Sequence, residues 1–184
     1  MMDMEAMVEQ RQAPIAGNPM REIRIAKVTV NMGVGQTGEE LKKAETIMQR
    51  LTNMKPLLTV CKVKNPTWEI RPGLTIGCKV TLRDERAIEF LKRALQAREN
   101  KLAAKNFDLH GNFGFGIKEY IDLPGTKYDP KLGIRCFDVL IALERPGYRV
   151  KRRKLAKKRI PRHHAVSKAE AVEFVSTRFG VEVK

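Results

Sequence analysis

The residues with the clearest potential for chemistry form a basic run near the C-terminal end of the chain. This run has ten lysines and arginines and no acidic residue: Arg145, Arg149, Lys151, Arg152, Arg153, Lys154, Lys157, Lys158, Arg159 and Arg162. Lys and Arg at this density neutralise phosphates and release counterions, which supplies affinity but no sequence readout. A solvated tail is the alternative. Because the run lies between an apolar strand pattern and a helix start, the sequence favours an ordered phosphate-binding segment.

The whole chain shares this charge bias. Thirty-six Lys and Arg against 21 Asp and Glu give a formal net charge of +15 in 184 residues. Repulsion among so many positive charges destabilises a compact protein unless a negatively charged partner neutralises them, so the composition indicates a polyanionic partner. A membrane surface would require an anchor helix or a lipidation signal, and the first residues, MMDME, offer neither. Without a signal peptide or an apolar run of about 18 residues, we expect a cytoplasmic protein.

A glycine motif raises an enzymatic alternative. Gly33, Gly35 and Gly38 satisfy G-x-G-x-x-G between a strand and a helix, as in a dinucleotide-binding turn. That motif would suit a small NADP-binding reductase. The acidic ribose partner is missing, since the next strand ends in Lys62-Val63-Lys64, and no further βαβ units follow. The more economical interpretation is that the turn and the helix N-terminus approach a phosphate of RNA.

No residue set predicts catalysis or metal binding. The histidines lack the spacing and the carboxylate neighbours of a metal site or a triad, and the last two extend the basic run; they are His110, His163 and His164. The cysteines have no C-x-x-C pair and are expected to be buried free thiols; they are Cys61, Cys78 and Cys136. We therefore assign no catalytic residue, no cofactor and no metal.

Hydrophobic periodicity predicts the elements that position these residues. Alternation predicts strands over 25–32, 57–63, 74–83 and 135–143, with a Gly-rich stretch over 111–116 and a turn-rich loop over 123–133. Helix starts are predicted at a Thr37–Glu40 capping box, at Asp84 and at a Ser167–Glu170 capping box. The predicted class is α+β, with a mainly antiparallel sheet, helices packed on one face and the other face open for RNA.

The domain organisation follows from the same pattern. Residues 1–20 are expected to form a mobile N-terminal arm, and 21–184 a single RNA-binding domain with a basic segment at 145–164 and a C-terminal helix. The polar strand faces suit RNA, whose readers use shape, 2′-hydroxyls and exposed bases. Trp68 could stack on a base or simply pack against the protein.

Several blocks in order carry a resemblance to a known family. They are Asn18-Pro19-Met20-Arg21, Val28-Thr29-Val30-Asn31-Met32-Gly33-Val34-Gly35, Ile70-Arg71, Val80-Thr81-Leu82-Arg83, Gly111-Asn112-Phe113-Gly114-Phe115-Gly116-Ile117, Lys127-Tyr128-Asp129-Pro130 and Arg145-Pro146-Gly147-Tyr148. The chain resembles the universal ribosomal protein five of the large subunit, in its archaeal and eukaryotic form. Two stretches depart from that family: Glu119-Tyr120 stands where Glu-His is frequent, and Arg135-Cys136-Phe137-Asp138 replaces a Gly-Met-Asp ending.

The resemblance implies a structural role without catalysis. Its implied partners are 5S rRNA, 23S rRNA in the central protuberance, neighbouring 5S-binding ribosomal proteins, peptidyl-site tRNA and, across an intersubunit bridge, small-subunit ribosomal protein thirteen. The resemblance, the polar strand faces and the basic run together predict an rRNA-binding set of Lys27, Thr29, Asn31, Gly33, Gly35, Lys79, Thr81, Arg83, Arg149, Arg152, Arg153, Lys157 and Lys158. The implied tRNA-facing loop carries Lys62, Lys64, Trp68 and Arg71, and the implied bridge loop carries Pro124, Lys127, Tyr128 and Lys131. An unrelated RNA-associated factor is the third possibility.

Overall fold

A five-stranded antiparallel sheet organises the chain. The computed structural model describes residues 18–184. The strands, numbered in chain order, are β1 (Arg24–Gly33), β2 (Leu57–Val60), β3 (Thr75–Leu82), β4 (Lys101–Leu102), β5 (Phe113–Ile117), β6 (Phe137–Glu144) and β7 (Glu182–Val183). The main sheet has the order β2-β3-β1-β6-β5, and β4 pairs with β7 in a short parallel ladder. The helices are α1 (Glu39–Thr52), α2 (Asp84–Gln96), α3 (Arg149–Arg152) and α4 (Lys168–Phe179).

Only one face of the sheet is covered by helices. In β1 the side chains of Val28, Val30 and Met32 are buried and join the core, whereas Lys27 beside them is exposed. Helix α1 packs against β3 and α2 packs against β1, and the apolar stripes of both helices belong to the same core. Each fully buried aliphatic side chain contributes about 1.5–3 kcal/mol, so a one-residue slip that exposed this face would be strongly unfavourable. The predicted α+β class is confirmed.

Two strand predictions need correction. Strand β2 ends at Val60 rather than at residue 63, because the chain turns there into a loop closed by hydrogen bonds between Cys61 and the Gly73–Leu74 pair. The stretch predicted only as Gly-rich contains strand β5. Glycine weakens a strand pattern, but Gly114 suits this position because an added Cβ would lie 2.7 Å from Leu140 Cδ2 on β6.

The helix starts show which local signals succeed. The Thr37–Glu40 capping box predicted for α1 is wrong, since Gly38 is the N-cap, with φ 101° and ψ −140° and no side-chain cap. Glycine adopts that backbone conformation readily, whereas other residues adopt it only at a cost in energy. The N-cap therefore lies at Gly38, one residue after Thr37, and the helix begins at Glu39. Asp84 is likewise the first helical residue rather than the N-cap. The Ser167–Glu170 capping box of α4 is confirmed.

The N-terminal prediction falls mostly outside the described residues. Residues 1–17 of the predicted arm lie there, and the boundary at residue 20 stays a prediction. From Asn18 onward the side chain of Asn18 accepts a hydrogen bond from Met20 N, and a short 3₁₀ helix spans Pro19–Arg21. Among residues 18–184, no helix combines the length and the apolarity that crossing a membrane requires.

Candidate nucleic-acid interface

The sheet face opposite the helices presents polar side chains in rows. In the antiparallel register Asn31 lies opposite Lys79, and Thr29 lies opposite Thr81. Opposed side chains of this kind are about 5 Å apart, so each pair can contact one ligand group together. We call this surface the open face; it comprises Lys27, Thr29, Asn31, Lys79, Thr81, Gly114, Gly116, Asp138, Leu140 and Ala142. The structure therefore brings together five residues that the sequence predicted as RNA contacts.

Two residues of β6 on the open face escaped the sequence prediction. Asp138 continues the row of Asn31, and Leu140, which is 51% exposed, continues the row of Thr29. A shallow groove of about 560 Å³ runs past Lys27, Thr29 and Leu140. Leu140 was missed because it stands inside the apolar run 139–143, where the sequence does not reveal which residues face outward. The phase of alternation from the buried Phe137 is the signal that identifies both residues.

One end of the open face is strongly cationic. Strand β1 begins where β3 and β6 end, which places Lys27 and Arg83 together. The guanidinium of Arg83 donates to the backbone carbonyl of Ala26 at 3.4 Å. At the same end Arg152 pairs with Glu144 at 2.8 Å, and Glu144 continues the outward-facing alternation of β6. This ion pair connects the basic segment, residues 145–164, to the open face.

In the glycine turn two backbone N–H groups are already bonded within the protein, and the approach of this turn to a phosphate of RNA stays a prediction. The N–H groups of Val34 and Gly35 both donate to the carbonyl of Ile76, at 3.0 and 2.9 Å. Helix α1 then begins with Glu39 and Glu40, whose carboxylates already occupy the positive end of the helix dipole. Strand β1 is antiparallel to both of its neighbours, whereas a dinucleotide turn belongs to a parallel βαβ unit. The reductase alternative is therefore wrong.

The hairpin loop between β2 and β3, residues 61–74, is a second cationic surface. Lys62, Lys64 and Arg71 are exposed. Backbone hydrogen bonds between Asn65 and Ile70 form an isolated antiparallel β-bridge across the loop. Trp68, in a short 3₁₀ helix, is 70% exposed and does not pack into the core. An exposed indole beside cations can stack on a base. The packing role predicted for Trp68 is therefore wrong, and its stacking on a base stays a prediction.

The turn-rich loop, residues 123–133, is held by its own hydrogen bonds. The Thr126 hydroxyl lies 2.7–3.2 Å from three backbone carbonyls, and the buried Tyr120 hydroxyl accepts from the N–H of Asp129 at 3.2 Å. Arg50 of α1 bonds to the Asp129 carboxylate at 2.9 Å and lowers its pKa below the ordinary range. These contacts leave exposed the four side chains of the implied bridge loop: Pro124, Lys127, Tyr128 and Lys131.

Both departures from the family pattern have local roles. Tyr120 supplies the hydroxyl that ties Asp129 to the core. Arg135 forms an ion pair with Glu40 at the start of α1. Cys136, expected to be buried, is exposed because it precedes β6 and the adjacent Phe137 takes the inward position. The expectation of burial holds for Cys78 and not for Cys136.

The basic segment folds back on itself. From the second half of α3 onward, all residues from 151 to 159 are exposed. The Lys158 N–H bonds to the Val150 carbonyl at 3.3 Å, and the Arg153 side chain bonds to the Ala156 carbonyl at 2.8 Å. Five cations predicted to bind rRNA are exposed, although Arg152 is already paired with Glu144: Arg149, Arg152, Arg153, Lys157 and Lys158.

Arg145, the first cation of the predicted run, does not belong to this surface. It is 5% exposed, and its guanidinium lies 2.7 Å from the Glu170 carboxylate. Partial burial acts to raise the pKa of Glu170, but hydrogen bonds from Ser167 and Arg145 outweigh it and lower that pKa below its ordinary value. No local pattern could have shown this pairing, because 25 residues separate the two partners.

An exposed polar sheet face that is joined at one end to a cation-rich segment is typical of proteins that bind a nucleic acid. The family comparisons agree. The chain matches the model of ribosomal protein L5 over residues 18–71, and the model of the C-terminus of the same ribosomal family over residues 75–174. The chain belongs to the ribosomal protein L5 family, whose members are structural proteins of the large ribosomal subunit and not enzymes.

Individual relatives cover nearly the whole chain. Large ribosomal subunit protein uL5 of Sulfurisphaera tokodaii is 49% identical over 90% of this chain and 94% of its own length. The protein of the same name from Nanoarchaeum equitans is 48% identical, over 90% and 98%. That from Methanococcus aeolicus is 47% identical, over 90% and 93%. The archaeal form of the resemblance is thus confirmed.

Proposed function

We propose that this chain, a ribosomal protein of the large subunit, binds 5S rRNA through the open face and the basic segment and helps attach it to 23S rRNA in the central protuberance. The observation that carries the proposal is the Arg152–Glu144 pair, which joins the cation-rich segment to the end of the open face. Because of this pair, one RNA can contact both surfaces. The basic segment then provides affinity through phosphates, and the open face provides selectivity.

The chemistry of the open face suits RNA rather than DNA. Thr29 and Thr81 present hydroxyls, and Asn31 an amide, which can bond to 2′-hydroxyls and base edges. Asp138 adds an acceptor in the row of Asn31. A carboxylate disfavours a nearby phosphate but accepts from a 2′-hydroxyl or a base amino group. This part of the face is therefore suited to sugars and bases.

The test measures binding to 5S rRNA and to an unrelated structured RNA of equal length at several salt concentrations. Thr81→Val and Asn31→Ala should weaken 5S binding by about tenfold, the equivalent of one or two hydrogen bonds, and should leave the unrelated RNA nearly unaffected. Thr177→Val, at an exposed position on α4, is the matched control. Equal losses on both RNAs would remove the specific sheet-face site, and weak unselective binding by the wild type would favour an unrelated RNA-associated factor.

The two loops are proposed to make the remaining contacts. The hairpin loop is assigned to peptidyl-site tRNA through Lys62, Lys64, Trp68 and Arg71, and the exposed indole of Trp68 supports this. The turn-rich loop is assigned to small-subunit ribosomal protein thirteen, and neighbouring 5S-binding proteins are further partners. Tyr128→Ala should weaken association of the ribosomal subunits without altering 5S rRNA binding, because Tyr128 is 53% exposed and its loop precedes the start of β6, whereas the basic segment follows the end of that strand. A parallel loss of 5S rRNA binding would contradict the separate roles.

A further inference from the structure

The two ends of the basic segment are fastened to each other. At the entry, the buried guanidinium of Arg145 bonds to Glu170 on α4 at 2.7 Å and lies 3.5 Å from the carbonyls of His164 and Ala165 at the exit. Burial as deep as that of Arg145 is rare for an arginine unless it is paired. A single side chain thus ties the entry, the exit and the helix that follows.

A tyrosine makes the second connection. The Tyr148 hydroxyl accepts from the N–H of Val166 at 3.1 Å and donates to the carbonyl of His164 at 3.4 Å. The His164 ring nitrogen Nε2 lies 2.9 Å from the Pro146 carbonyl, which is a further contact between the entry and the exit of the segment. Residues 145–148 and 164–166 therefore form one closed junction, which we call the clasp.

The exposed part of the segment has few contacts of its own. Beyond the end of α3, residues 154–160 are held only by the Arg153–Ala156 and Lys158–Val150 hydrogen bonds, and the Arg152–Glu144 pair fixes the residue at the end of α3. A long exposed loop with so few bonds would sample many arrangements if its ends were free, and a ligand would have to order it on binding. Because the two ends of the segment are fixed to each other, the loop has fewer arrangements to sample, and less conformational entropy is lost when a ligand binds.

We infer that Arg145, Tyr148 and Glu170 are positioning residues that hold the basic segment in its RNA-binding arrangement before RNA arrives. The inference rests on the proposed role of the segment in binding 5S rRNA. None of the three needs to touch RNA, and their effect is on the fraction of molecules whose segment is ready to bind. If loosening the clasp lowers that fraction to about one tenth, the apparent affinity falls about tenfold.

This mechanism has a signature that differs from loss of charge. The slope of log affinity against log salt counts the phosphates neutralised, and a clasp variant keeps every cation of the segment. The affinity line should therefore shift downward in parallel. A residue that only stabilises the fold would lower the melting temperature and leave the affinity of the folded protein unchanged.

The experiment uses the full chain with Tyr148→Phe and Glu170→Gln. Tyr148→Phe removes only the hydroxyl, and Glu170→Gln keeps an acceptor for the Ser167 N–H while removing the carboxylate from Arg145. Glu170→Gln also raises the net charge by one from +15, so its loss of affinity cannot be electrostatic. Glu173→Gln, which makes the same change of charge at an exposed glutamate on α4, is the control. Should Glu170→Gln fail to fold, Tyr148→Phe alone suffices.

Two readouts decide the result. Trypsin should cut the Lys- and Arg-rich segment several times faster in both variants, because cleavage follows the population of the open loop, and 5S rRNA binding should weaken about tenfold at unchanged salt slope. Unchanged cleavage, or faster cleavage with unchanged affinity, would overturn the inference. A wild type that binds 5S rRNA no better than other RNAs would instead refute the proposed function, and the cleavage rates would still show whether the clasp orders the segment.

Discussion

Neutralising four cations of the basic segment provides a quantitative test of the interface. The variant carries Arg152, Arg153, Lys157 and Lys158 replaced by Gln, which lowers the formal net charge from +15 to +11. Arg152 is already paired with Glu144, so it offers less than a full charge to RNA. Among the described residues the other three lie within ion-pair distance of no acidic group, so three phosphate contacts should be lost.

The expected magnitude follows from counterion release. Three lost contacts reduce the salt slope by about 2–3, at roughly 0.7–0.9 for each phosphate. Between 50 and 200 mM salt, a fourfold range, the wild type should therefore lose about twenty to forty times more affinity than the variant. The loss should be similar on every RNA, since phosphate contacts carry no sequence information.

The assay is filter binding of 5S rRNA at four or more salt concentrations, and a charge-matched control is available. Replacing Lys42, Arg86, Lys92 and Arg98 by Gln gives the same net charge, and all four are exposed on or just after the helices that cover the other side of the sheet. The control should retain nearly the wild-type slope. If the two variants flatten the slope equally, the protein acts through net charge alone, and the basic segment has no special role.

Three further predictions concern individual residues. Gly38→Ala should lower the free energy of unfolding by about 1–3 kcal/mol in urea titration through backbone strain alone, since nothing lies within 4 Å of the added methyl group; a negligible loss would contradict the assigned N-cap. Burial raises the pKa of the Cys78 thiol to about 11, so thiol reagents at neutral pH should label the exposed Cys136 and reach Cys78 only on unfolding; comparable rates would refute its burial. Because the pKa of Glu170 is lower in the folded than in the unfolded protein, its contribution to stability is present above the unfolded pKa and is lost as pH falls through the folded one; wild type should thus lose more stability on acidification than Glu170→Gln, and parallel stability curves would oppose this.

The strands of the sheet were predictable where one face of the strand is exposed to solvent. In β3 the alternation of Cys78, Val80 and Leu82 with Lys79 and Thr81 gives both the strand and its outward face. Strand β5 was not predictable in this way, because two of its five residues are glycines and the pattern resembles a loop. Its strand character depends on pairing with β6, which is a tertiary fact.

The residues of the candidate site also fall into those that a local pattern identifies and those that only tertiary contacts reveal. Cations and hydroxyls of β1 and β3 were identified because their strands alternate. Asp138 and Leu140 were missed because only pairing with β1 and β5 shows which way they face. Arg145 was misassigned for a related reason: its charge matches its neighbours in sequence, but its partner Glu170 lies on α4. Contacts between distant segments decided both outcomes, and local patterns do not contain them.

The two carboxylates on the outward side of β6 explain why affinity and selectivity should reside in different places. A uniformly cationic face would attract any RNA backbone, and its binding would be strong and unselective. Asp138 lies in the row of Lys79 and Asn31, so a phosphate placed there would meet a like charge, whereas a 2′-hydroxyl or a base amino group would find an acceptor. Glu144, by contrast, is neutralised by Arg152 and serves to hold the basic segment at the end of the face. Under the proposed function one carboxylate would discriminate between RNA groups and the other would position the cations. Asp138→Asn should then raise the affinity for unrelated RNA relative to 5S rRNA, and a selective gain for 5S rRNA would refute this division.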